Sequence, residues 1–185
     1  QYCAGEPVGN VDPSGKAYSP SRAVDYARRW YNGYNTRKYP KYEGGDCANF
    51  VSQCLVAGGL KMSGYGGKHG WWAGKHNGKM SSGSKWRGAN ELYKYIKSQR
   101  GYLVASFASF SRRGPWIRVA RVGDLLFYSK GGAISHSTIV SASASIRSSG
   151  TGYVGTRVAQ HTGPWLMRPW RLTWATKAYL VRPTG

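Results

Sequence analysis

The spacing of apolar residues divides the chain into a helical first half and a strand-rich second half. In "SPSRAVDYARRWYNGYN" apolar and aromatic residues recur at helical spacing, with Ser19 as an N-cap and Pro20 in the first turn. A second apolar stripe, in "CANFVSQCL", follows Asp46 as its N-cap and stops at Gly58 and Gly59. The segment "ANELYKYIKSQ" predicts a third, short helix.

The second half consists of short runs rich in Val, Ile, Tyr and Phe, separated by Gly, Ser and Pro, which is typical of strands. These runs are "YLVASF", "GDLLFYS", "SHSTIVSAS", "GYVGTRVAQH" and "KAYLVRP". Between the halves, "MSGYGGKHGWWAGKHNGKMSSGS" predicts a long surface loop, and residues 1–18 predict an irregular N-terminal arm. Helices followed by strands indicate one α+β domain over residues 1–185, with the helices packed on an antiparallel sheet.

The charge balance of the chain indicates which kind of partner it attracts. The chain has 27 Lys and Arg against 7 Asp and Glu, a formal net charge of +20. Such a surface attracts polyanions: nucleic acid, anionic lipid headgroups or an anionic cell wall. No compact nucleic-acid motif occurs, so specific nucleic-acid binding is not expected. No apolar run reaches the roughly 18 residues of a membrane span. Gln1 as the first residue indicates either a processed, mature start or a start made by recombinant expression.

The cysteines suggest the chemistry. Cys47 and Cys54 lie two helical turns apart, roughly 10 Å, which is too far for a mutual disulfide and is not a CxxC redox or zinc spacing. Cys47 begins its helix, where free N–H groups and the helix dipole favour a thiolate, so it is a candidate nucleophile. Cys54 has apolar neighbours and is either a core thiol or, in a secreted chain, the partner of Cys3. Alternatively, all three are inert buried residues.

A nucleophilic cysteine needs a base, and the chain has four histidines. His69 and His76 lie in the predicted loop, where we expect them to be solvated. His136 begins one predicted strand and His161 ends the next, and the midpoint between them falls in the connecting loop. An antiparallel hairpin would then place these two histidines nearly opposite each other, as a base and its orienting residue. The alternative is that each is a separately hydrogen-bonded structural histidine.

Three segments of the chain, "GGDCANFVSQC", "GDLLFY…ISHSTIVS" and "AQHT…RPW", resemble the putative amidase domain of bacterial secreted proteins. That domain is in the papain-like group of the NlpC/P60 and CHAP cell-wall hydrolases, and the similarity extends from about Ser21 to about Tyr179. The resemblance implies a papain-like fold with the nucleophile at a helix start, packed on an antiparallel sheet. It assigns the nucleophile to Cys47, the base to His136 and the orientation of that base to His161.

The resemblance also suggests supporting residues. Asp46 and Asn49 match polar positions beside the nucleophile, and Tyr42 is a candidate for the second oxyanion donor after the Cys47 main chain. Cys54 stands where relatives have a small apolar residue, which supports an added disulfide between Cys3 and Cys54.

The aromatic residues of the glycine-rich loop are candidates for substrate binding, because indole rings stack on ligands. We expect this loop to form one wall of the cleft, with its lysines attracting an anionic polymer. The candidate tryptophans are Trp71 and Trp72 in the loop and Trp86 just after it.

The function implied by the resemblance is a secreted, monomeric cysteine amidase or peptidase that uses neither a cofactor nor a metal. It would cleave amide bonds in bacterial peptidoglycan through a thioester acyl-enzyme. Transglutaminase- or deamidase-like acyl transfer would use the same residues, as would an antibacterial effector. A polyanion-binding module without catalysis is the rival class.

Overall fold

The computed structural model describes residues 18–108, 119–143, 155–170 and 174–185. The predicted N-terminal arm lies outside these residues apart from its last position. The helices are α1 (Pro20–Trp30), α2 (Cys47–Ala57), α3 (Ser84–Arg87) and α4 (Ala89–Gln99). The strands are β1 (Ala73–His76), β2 (Lys79–Ser82), β3 (Gly101–Ala108), β4 (Leu125–Lys130), β5 (Ala133–Ala142), β6 (Arg157–Gln160), β7 (Trp165–Pro169) and β8 (Lys177–Pro183).

Six of these strands form one sheet in the order β3-β8-β4-β5-β6-β7, in which every neighbouring pair is antiparallel. The strands β1 and β2 form a separate antiparallel hairpin. The predicted mixed α+β fold with an antiparallel sheet is therefore confirmed. Within the described part of the chain, no helix has both the length and the apolar character needed to cross a membrane.

The sheet has two apolar faces because side chains alternate along each strand. On one face, here called the helix face, Leu125, Phe127 and Ile139 pack against Phe50 and Leu55 of α2. On the other, here called the far face, the buried strand residues pack with Ala120, Trp170 and Ala175, which lie outside the strands. The buried far-face set comprises Ala120, Leu126, Tyr128, Val140, Val158, Trp170, Ala175, Ala178 and Leu180.

The three longer helices occupy the predicted segments. Ser19 caps α1 as expected, because its side chain accepts a hydrogen bond from the main-chain N–H of Arg22 at 3.4 Å. Asp46 precedes α2 as predicted, but its carboxylate makes no capping bond to that helix. Its oxygens bind other partners, and these bonds shape the site described below.

The predicted long loop was partly wrong, because it contains the β1–β2 hairpin. Asn77 and Gly78 both have positive φ, 49° and 77°. An Asn-Gly pair with positive φ at both positions makes the two-residue turn that joins hairpin strands. The chain also forms β7, which the sequence pattern did not indicate because that run is short and ends in proline.

Candidate active site

The Cys47 thiol lies at the junction of α2 and β5. Cys47 is the first residue of α2 and only 6% exposed. Burial raises the pKa of its thiol, whereas the main chain and hydroxyl of Ser137 and the main chain of Ala48 act in the opposite direction. The Ser137 hydroxyl is buried and makes no hydrogen bond within the described residues. The net shift is upward, so the thiol is protonated at neutral pH.

His136 is the residue next to Ser137 on β5, and its ring is held by Gln160 of β6. Its Nε2 lies 3.2 Å from Oε1 of Gln160. The Gln160 amide nitrogen donates to the main-chain oxygens of Thr162 at 3.3 Å and Gly163 at 3.1 Å, which orients its Oε1 toward the ring. Since an amide oxygen only accepts, Nε2 carries the proton and Nδ1 of the neutral ring is left as an acceptor.

The electrostatic environment keeps this imidazole neutral. Burial lowers the pKa of His136, the hydrogen bond to Gln160 raises it, and the Arg168 guanidinium lowers it. The net shift is downward from the ordinary value of 6.5. The resting site therefore contains a neutral thiol and a neutral imidazole, and the imidazole is available as a base near pH 7.

The thiol and the imidazole are not hydrogen-bonded to each other, although both residues are described by the structure. The thiol meets Ser137 on the helix face, and alternation along β5 places His136 on the far face. There the His136 ring lies 5.6 Å from the Tyr128 ring and 5.9 Å from the Trp174 ring, measured between centroids. The expected close contact between Cys47 and His136 is thus replaced by a contact one residue along the strand.

The prediction that His161 hydrogen-bonds His136 was wrong. His161 is buried, with Nδ1 2.6 Å from Oδ2 of Asp46 and Nε2 2.8 Å from the main-chain oxygen of Trp30. Its ring stacks on Phe50 at 4.1 Å. Both ring nitrogens are therefore occupied on the helix face.

The cause of this error is the register of the hairpin. The observed pairs Ile139–Ala159 and Val140–Val158 differ by one residue from the pairing that would set His136 opposite His161. A shift of one residue moves a side chain to the other face of the sheet. Gln160 takes the place beside His136 that had been expected for His161, and its position directly before His161 was the available signal in the sequence.

Asp46 joins three parts of the chain around Cys47. Its Oδ1 accepts from the main-chain N–H of Tyr42 at 3.0 Å and from Nδ2 of Asn49 at 2.7 Å. Its own N–H donates to the hydroxyl of Thr162 at 3.1 Å. With the bond to His161, these contacts fix the start of α2 against the turn after β6.

Asn49 and Tyr42 support the structure around the helix start. Asn49 donates to the main-chain oxygen of Pro40 at 2.8 Å, and its Oδ1 accepts from Nε1 of Trp86 at 2.6 Å. The Tyr42 N–H already donates to Asp46, and the Tyr42 hydroxyl is hydrogen-bonded to Ser82 at 2.6 Å. The expectation that Tyr42 supplies the second oxyanion donor is therefore not met in this structure.

The three tryptophans expected to bind substrate are in the interior. Trp71 and Trp86 are fully buried and Trp72 is nearly so. The indole N–H of Trp71 donates to Ser52 at 3.0 Å, and that of Trp72 donates to the main-chain oxygen of Gly67 at 2.7 Å. Their apolar area and their donors are thus used by the fold, so the expected wall of stacking tryptophans is not present at these positions.

Cys54 is a fully buried free thiol in the core, and burial raises its pKa well above the ordinary value. Its predicted disulfide partner, Cys3, lies outside the described residues, so the structure shows no such bond. Among the residues that the structure describes, no cluster of three His, Cys, Asp or Glu side chains could hold a metal ion.

Comparison with known proteins agrees with the resemblance at the family level. The putative amidase domain matches residues 17–182. The chain is 34% identical over 137 residues to the uncharacterized protein YhbB of Bacillus subtilis (strain 168); the match covers 69% of this chain but only 39% of YhbB. No solved structure matches, so the papain-like architecture stays a prediction. The chain belongs to the putative amidase domain family.

Proposed function

We propose that this domain is a cysteine amidase in which Cys47 is the nucleophile, His136 is the base and Gln160 holds the base in its resting tautomer. The observation that carries the proposal is the position of the Cys47 thiol against β5, the strand that also carries His136. The Cys47 thiol rests against Ser137, the next residue is His136, and Gln160 fixes Nε2 of that imidazole so that Nδ1 is left to accept a proton. Amidase activity itself is supported at the level of the family.

The proposed reaction requires the imidazole to release Gln160 and turn from the far face toward the thiol, so Gln160 sets the tautomer of the resting base and not its reacting position. His136 directly precedes Ser137, the residue beside the Cys47 sulfur, and the Cα atoms of neighbouring residues are about 3.8 Å apart. The pairing of β4 with β5 is also irregular at this point, between Tyr128 and Ser129. Such irregularities re-aim side chains and are common next to active sites. We expect substrate binding to complete this movement.

In the proposed mechanism, the Cys47 sulfur attacks the carbonyl carbon of an amide while its proton passes to Nδ1 of His136. The Cys47 N–H, at the start of α2, donates to the oxyanion that forms. His136 then protonates the leaving nitrogen, the C–N bond breaks, and a thioester remains. Water, deprotonated by His136, attacks the thioester, the C–S bond breaks, and the carboxylate product leaves as the thiol regains its proton.

The substrate that best suits the chain's charge is a peptide amide in an anionic bacterial cell wall, reached by secretion. A net charge of +20 favours association with a polyanionic polymer.

The test is digestion of purified peptidoglycan followed by mass spectrometry of the fragments. We expect Cys47→Ala to abolish cleavage, with Cys54→Ala as the matched control because it removes the other described thiol from the core. We also expect His136→Ala to remove most turnover. Cleavage that survives Cys47→Ala, or an inert wild type that still binds the wall, would reject the cysteine mechanism. Products with new amide bonds would assign acyl transfer to the same residues.

A further inference from the structure

Exposed aromatic and cationic side chains lie near His136 on the far face of the sheet. Trp165 is 50% exposed and Trp174 is 43% exposed, although large aromatic rings are usually covered. The Arg168 guanidinium lies 5.4 Å from the centroid of the Trp165 ring, and the Trp174 ring lies 5.9 Å from the His136 ring. We call Trp165, Arg168 and Trp174 the far-face cluster.

The strand pairing explains why these side chains converge on one face. Arg168 pairs with Val158, which is buried on the far face, and Trp165 pairs with Gln160, which binds His136. Directly paired residues on antiparallel strands project to the same side. The charge of Arg168 also acts on both His136 and Tyr128, which agrees with a position beside those rings.

The cluster has a strongly one-sided charge environment. The sequence contains no Asp or Glu after Asp124, so β4 to β8 supply no carboxylate side chain. Asp124 is already paired with Arg182, whose Nε and Nη2 donate to Oδ1 and Oδ2 of the carboxylate, each at 2.9 Å. Within the described ranges, no ion pair engages Arg168. Its guanidinium is thus available to bind a carboxylate, for which a planar double donor is well suited.

We propose that the far-face cluster is a substrate subsite that recognises an acidic peptide, with Arg168 binding a side-chain or terminal carboxylate close to His136. Trp165 and Trp174 pack against the neighbouring apolar part of the peptide. This inference rests on the proposed function, because the proximity to His136 matters only if His136 takes part in amide cleavage. Two tryptophans alone would also suit a sugar ring, but the unpaired guanidinium favours an acidic ligand.

The test measures binding separately from turnover by using the Cys47→Ala protein. The probes are two acetylated and amidated pentapeptides, Ala-Ala-Glu-Ala-Ala and Ala-Ala-Gln-Ala-Ala, in about 0.15 M salt, where long-range attraction is largely screened. We expect the Glu peptide to bind about tenfold more tightly, or about 1.4 kcal/mol, as measured by calorimetry and by tryptophan fluorescence. Arg168→Gln should remove that preference.

The matched control is Lys97→Gln, which removes the same charge from an exposed residue in the last turn of α4. That helix packs against β3, at the opposite edge of the sheet from β7. We expect Lys97→Gln to preserve the preference for the Glu peptide. Equal losses in the two variants, equal binding of the two peptides, or tighter binding of an uncharged chitin oligosaccharide would overturn the inference. A retained preference in a protein that cleaves no amide would reject the proposed function alone.

Discussion

Replacing His161 by Ala should destabilise the fold far more than replacing His136. His161 is buried, contacts Asp46 at 2.6 Å and the main-chain oxygen of Trp30 at 2.8 Å, and stacks on Phe50. Since the Trp30 oxygen can only accept, Nε2 of His161 carries a proton, and Nδ1 is hydrogen-bonded to the Asp46 carboxylate. Removing the ring takes a donor from the buried Asp46 carboxylate, leaves the Trp30 oxygen without its partner and opens a cavity beside Phe50, which together cost about 3–5 kcal/mol.

That loss is a large share of the roughly 5–15 kcal/mol that stabilises a domain. The assay is urea unfolding followed by tryptophan fluorescence, near pH 7, at equal protein concentrations. The control is His136→Ala, for which we expect a loss of about 1–2 kcal/mol, because this half-buried ring has one side-chain hydrogen bond. A loss below about 1 kcal/mol for His161→Ala would refute the reasoning. Asp46→Asn should be non-additive with it, since the two side chains share one bond.

Three further predictions concern protonation and ion pairing. Alkylation of Cys47 by iodoacetamide should have its midpoint above pH 9.0, because burial raises the thiol pKa; a plateau reached below that pH would contradict this. The acid limb of kcat/KM should lie below pH 6.5, because neutral His136 is the active form and its pKa is lowered, so a limb above that value would assign the base elsewhere. Asp124→Asn should lower the free energy of unfolding by about 3 kcal/mol, because it breaks a buried pair with Arg182. Asp25→Asn, in the exposed pair with Arg28, should change it by less than about 1 kcal/mol, and equal effects in urea unfolding would contradict both estimates.

The helices could be predicted because their signals are local. Ser19 and Pro20 mark the start of α1, and the apolar period continues to Trp30, where the helix ends. The position of Cys47 at a helix start follows from the same kind of evidence. The strands that carry His136 and Gln160 were also recognisable, since β-branched residues and breakers alternate in that region.

What could not be predicted depends on register and burial. Neither can be derived from one segment alone, because both are set by the partner strand or by the rest of the core. A difference of one residue in the pairing of β5 with β6 decides whether His161 or Gln160 meets His136. The glycines around Trp71 indicated a loop, but the indole is fully buried and hydrogen-bonded to Ser52.

The bond between Asp46 and His161 joins residues 115 positions apart, and the bond between Trp30 and His161 spans 131 positions. Loops of that size close slowly, because the chain loses entropy before distant contacts compensate for it. During synthesis, at about 5–20 residues per second, α1 and α2 leave the ribosome several seconds before His161 does. The start of α2 therefore gains its contacts with His161 only after β6 has been made, so the arrangement around Cys47 is completed late in the folding of this domain.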